Sequence, residues 1–149
     1  MRQAGWCALL AGVVIALAGC GGGKKTESEP ANAQAKAACN GAALADTEKV
    51  KLPPSFPQIE ADKLTYTEQS TEGPTNVVEG YFHGDVTEAH DEFEKELKAS
   101  GYTILFNELE APHDSEISWK GEGRTGQVAM RAECGDTSKT YVHITNRPA

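Results

Sequence analysis

The chain has 149 residues, with 14 Lys and Arg against 22 Asp and Glu, a formal net charge of −8. That length suits one domain with some chain to spare. The acidic balance argues against nucleic acid as a partner, because phosphate binding demands clustered Lys and Arg.

The chain opens with Arg2 and a free amino group, then an apolar run from Trp6 to Ala18. The run is shorter than the roughly 20 residues of a membrane-spanning helix, and glycines interrupt it. It ends in Leu17-Ala18-Gly19-Cys20, an aliphatic residue, two small residues and a cysteine. This stretch resembles the lipobox of bacterial lipoproteins. The resemblance covers about the first 20 residues and implies cleavage before Cys20, diacylglycerol on its sulfur and often a further acyl chain on the new amino terminus. It also implies a membrane-anchored place on the extracytoplasmic side of the cell envelope. An ordinary secretory signal with a chance cysteine is the alternative. Arg2 is the only charged side chain before Cys20, so the mature chain carries −9.

Residues 20–38 hold no aliphatic residue larger than alanine. Such a stretch reads as a flexible tether with a reach of about 25 Å, enough to clear lipid headgroups. With Cys7 removed and Cys20 lipidated, Cys39 and Cys134 remain. In an oxidising compartment they are expected to pair, against the alternatives of free thiols or metal ligands. Residues 39–149 then form a single α+β domain.

Its entry is the proline-rich arm at 52–57, Leu52-Pro53-Pro54-Ser55-Phe56-Pro57, read as an extended segment whose Leu52 and Phe56 pack on the domain edge. Pro54-x-x-Pro57 also fits a polyproline ligand. Alternation then predicts strands at Leu64–Thr67 and Val77–His83, separated by a Gly73-Pro74 turn. Asp85 with Glu88 three residues on is a capping box. Behind it Val86, Ala89, Phe93 and Leu97 form one apolar stripe, and Gly101 marks the helix end. Strands follow at Tyr102–Glu108, Ile117–Lys120, Gln127–Glu133 and Thr140–Thr145, with Leu109–Ser115 as a polar loop. The expected architecture is a two-layer α+β domain, one helix on a mainly antiparallel sheet of five to six strands.

Several motifs invite a chemical reading. Gly121-Glu122-Gly123-Arg124-Thr125-Gly126-Gln127-Val128 matches the glycine-rich loop of protein kinases letter for letter, yet alternation makes it a hairpin and the partner kinase motifs are missing. His113-Asp114-Ser115 lists a hydrolase triad, but adjacent residues cannot converge on one proton-transfer line. His83, His90, His113 and His143 lack close metal-ligand spacing. No cofactor and no metal is expected.

Alternation puts Val78, Phe82, Ile104, Phe106, Ile117, Trp119, Val128, Met130, Val142 and Ile144 on the core side. The opposite parity carries Tyr81, His83, Leu105, Lys120, Arg131, Tyr141 and His143. Tyrosine and arginine are over-represented at binding hot spots. Tyr81, His83, Arg131, Tyr141 and His143 are therefore the candidate partner surface, unless the proline-rich arm covers that face. The function this reading favours is a lipid-anchored envelope lipoprotein with a small non-enzymatic protein-interaction or accessory domain, its partner an envelope protein. The alternative is a small-ligand or metal-binding lipoprotein, and after that a hydrolase of envelope polymers.

Overall fold

The computed structural model describes residues 28–46 and 49–149. The lipobox, Cys20 and the signal segment lie outside the described residues. Six strands form one antiparallel sheet: β1 (Leu64–Glu72), β2 (Thr75–His83), β3 (Thr103–Glu110), β4 (Asp114–Gly121), β5 (Arg124–Arg131) and β6 (Lys139–Pro148). The order across the sheet is β1-β2-β6-β5-β4-β3. Helices α1 (Ser28–Asn40) and α2 (Val86–Ala99) lie on opposite faces. Among the described residues, no helix is long and apolar enough to cross a membrane.

The hairpins follow from their turn residues. Gly73, at φ 58°, takes the first central position before Pro74, the chemistry of a two-residue II′ connection. Glu122 and Gly123, at φ 51° and 69°, form the mirror-type turn between β4 and β5. The kinase-like glycines thus have a structural account. A side chain on Gly126 would meet the Thr145 carbonyl at 2.1 Å and the Trp119 ring at 2.4 Å. The expected loop at Leu109–Ser115 is mostly strand, because β3 and β4 run on to a short turn at Ala111–His113.

Asp85 caps α2 as its sequence predicts: its carboxylate accepts from the Glu88 N–H while Glu88 accepts from the Asp85 N–H. Two capping bonds replace water on the free amides of the first turn. On the outer surface Glu94 pairs with Lys98 at 2.7 Å, whereas Lys95 turns to Glu92 and Glu96 rather than to Asp91. Ala89, Phe93 and Leu97 are fully buried against Ile117, Trp119, Val128 and Met130. The arm completes this first face: Phe56 is buried, with its ring 5.5 Å from Trp119 and 6.1 Å from Tyr102. Leu52 is partly buried beside it, and Asn146 binds the Lys51 carbonyl from below. The arm therefore closes the main core instead of covering the other face.

Two expectations are corrected here. The tether was predicted to run to Ala38, but helix α1 begins at Ser28. Alanine is the strongest helix former, and Pro30 is tolerated in a first turn. Ala35, Ala38 and Cys39 fall at i, i+3, i+4 and are buried on the second face of the sheet with Tyr141. Small side chains let the helix backbone sit close to the strands. The Cys39–Cys134 disulfide fastens its last turn, with a Cα–Cα distance of 5.4 Å.

The second correction is Phe106. A register shift between Ile104 and Phe106 leaves Ile104 opposite Trp119 but Phe106 opposite Ser118. One extra residue inverts the alternation that follows. Phe106 leaves the core side and is 46% exposed.

Candidate partner surface on the second sheet face

Strand register places the second-face residues in rows. One row reads Thr65, Tyr81, Tyr141, Arg131, Asp114, Glu110. The next reads Glu68, Glu79, His143, Ala129, Glu116, Glu108. A third holds Ser70, Val77, Thr145, Gln127, Ser118 and Phe106. Helix α1 lies across the β1, β2 and β6 end of these rows, and among the described residues no element lies across the β5, β4 and β3 end.

The five residues of the predicted surface are divided by that helix. Tyr141 is only 5% exposed, packed under Ala35, Ala38 and the disulfide. It is a core residue of the second layer and cannot serve as an exposed anchor. Burial first, and then the negative Glu79 nearby, push its phenol well above the usual tyrosine range. His143 is half-buried and engaged inward: its Nδ1 lies 3.1 Å from a Glu79 carboxylate oxygen and 3.2 Å from the Tyr141 hydroxyl. Glu79 itself is 3% exposed and also accepts from the Gln34 amide of α1. A buried carboxylate requires such donors, so this network fixes α1 on the sheet.

Tyr81 and His83 sit together at the edge of the helix, rings 5.0 Å apart and edge-to-face. The Lys139 ammonium lies 4.6 Å above the Tyr81 ring, and His83 bonds the Thr65 hydroxyl at 3.1 Å. Arg131 is exposed on β5, on the other side of Tyr141. The structure thus brings Tyr81 to His83, and His143 to Tyr141, while α1 separates both pairs from a continuous patch with Arg131.

The His113-Asp114-Ser115 triplet disperses. Ser115 turns under α2, where its hydroxyl lies 2.6 Å from His90 Nδ1 and donates to the Glu108 carbonyl at 2.8 Å. Both His90 and Ser115 are buried, and the hydroxyl proton is committed to a backbone acceptor. The pair fastens α2 to β4 and is not arranged as a nucleophile with its base. Asp114 points to the opposite face, and His113 lines a cleft of about 300 Å³ with Val86, Pro112 and Ala132 at one end of the sheet. Among the described residues, no three His, Cys, Asp or Glu side chains are grouped to hold a metal ion.

Sequence reasoning missed the exposed apolar content of β3. Leu105, Phe106 and Leu109 are the large hydrophobic side chains exposed among the described residues, at 58%, 46% and 37%, and all belong to β3. Three consecutive apolar residues, Ile104-Leu105-Phe106, break strict alternation and were the available signal for a bulge. No protein-family model matches the chain, and no curated protein is similar to it.

Proposed function

We propose that this is a lipid-anchored protein of the cell envelope whose small domain engages another protein and carries out no catalysis. The lipobox resemblance at Leu17–Cys20 supports the anchor, and the Cys39–Cys134 disulfide suits an oxidising compartment. The single observation that carries the interaction reading is the exposure of Leu105, Phe106 and Leu109 along the one strand β3, with Phe106 on the second face and Leu109 on the α2 side. Exposed apolar groups scattered singly mean little, whereas a cluster on one element marks a contact surface. The working surface shifts from the Tyr81–Tyr141 end to the β5–β3 end, with Arg131 retained from the predicted set.

Two measurements test this. Replacing Cys20 with alanine abolishes fatty-acid labelling and lipoprotein-type cleavage; continued labelling overturns the anchor. A photo-crosslinking residue at Phe106, in cells, yields a discrete adduct that the same residue at Glu72 does not. Equal adducts from both positions, or none from Phe106, overturn the interaction reading.

A further inference from the structure

The sheet has two edges, and among the described residues only the β1 edge is covered. Along β1 the chain folds back: the Leu44 N–H donates to the Tyr66 carbonyl at 2.8 Å, and Lys51 binds both Gln69 and Thr71. Along β3 the neighbours are β4 on one side and α2 on one face. The Glu108 carbonyl accepts from Ser115 and the Glu110 carbonyl from His113, so both face inward toward β4 and the turn. Alternation then aims the N–H and C=O groups of Asn107 and Leu109 outward. A row of free backbone groups flanked by exposed apolar side chains is a template for one more strand.

The charges on this edge choose between occupants. In register, Glu108 lies directly opposite Glu116, and Glu110 directly opposite Asp114, on the second face. Like charges opposite one another destabilise a strand pair. Among the described residues none of these four carboxylates forms an ion pair. Arg131, the one Lys or Arg in those two rows, stands opposite Asp114 without bridging to it. A second copy of the chain brings the same acids and the same negative net charge to the edge, so it adds repulsion. A strand bearing Lys or Arg relieves it.

We propose that β3 receives an extended segment of another polypeptide, added as a seventh strand, in which apolar residues meet Leu109 on the α2 side and basic residues meet Glu108 and Glu110 on the second face. This rests on the interaction reading above and names its mode. Main-chain bonds to Asn107 and Leu109 supply the affinity, and the carboxylates select the charge of the partner.

The test uses the full lipidated protein in detergent micelles and two synthetic eight-residue peptides, one alternating valine with lysine and the other valine with glutamate. Amide hydrogen exchange at Asn107 and Leu109 slows by about tenfold or more with the lysine peptide and stays unchanged with the glutamate peptide. The double variant Glu108→Lys, Glu110→Lys reverses that preference. Four outcomes overturn the proposal: no slowing with either peptide, equal slowing with both, slowing spread over the whole sheet, or slowing that grows with protein concentration alone, which makes a second copy the occupant. In-cell adducts from Phe106 that persist in the charge-reversed double variant refute strand addition and leave the interaction reading standing. Loss of those adducts in the wild type refutes the interaction reading itself.

Discussion

Cleaving the Cys39–Cys134 bond is expected to act on two scales. The bond joins residues 95 apart in sequence. In the chain-entropy account a loop of that length contributes about 4–5 kcal/mol by restricting the unfolded chain. The local effect follows from how α1 is held. Among its described side chains the buried apolar ones are Ala35, Ala38 and Cys39, and two methyl groups contribute only about 1.5 kcal/mol at roughly 0.8 kcal/mol each. A helix of 13 residues is marginal by itself in water. The disulfide and the Gln34–Glu79–His143 network therefore carry α1, and the covalent member is the stronger. Urea unfolding of the Cys39→Ser, Cys134→Ser variant should show a loss of several kcal/mol, with α1 amides exchanging much faster than those of α2. Burial of the Tyr141 phenol gives an independent readout, because its titration returns toward the ordinary range once the helix leaves. A loss below about 1 kcal/mol with α1 still protected would refute this reasoning.

Two further expectations concern the core and its pH dependence. Phe93 is fully buried at the centre of the α2 stripe, so Phe93→Ala should cost about 3–5 kcal/mol in urea unfolding; a change under about 1 kcal/mol would mean the helix is not packed as described. Burial raises the phenols of Tyr66 and Tyr141 above the usual tyrosine value. The unfolded chain then releases these protons first, near about pH 10, so stability is full below that pH and falls as pH rises through it. Tyr141→Phe should flatten this alkaline slope when unfolding midpoints are compared at pH 8 and above pH 10. An unchanged slope contradicts the buried placement of Tyr141.

What the sequence determined by itself is local. The Asp85–Glu88 cap, the α2 stripe, the Gly73-Pro74 and Glu122-Gly123 turns and the core parity of β2, β4, β5 and β6 were legible because each depends on neighbours within a few residues. The pairing of Cys39 with Cys134 followed from elimination among four cysteines rather than from geometry. Tertiary structure decided the rest. The alanines of α1 carry too little apolar area to announce burial, and only a sheet face with Tyr141 and Cys134 beneath them makes their small size useful. The bulge at β3 reverses Phe106, and a parity change is settled by strand pairing, not by composition. Which edge stays open among the described residues was likewise beyond the sequence: β1 and β3 are both half-polar strands, and the covering of β1 comes from a chain segment some 20 residues upstream folding back across it. The location of the proposed working surface rests on that long-range choice.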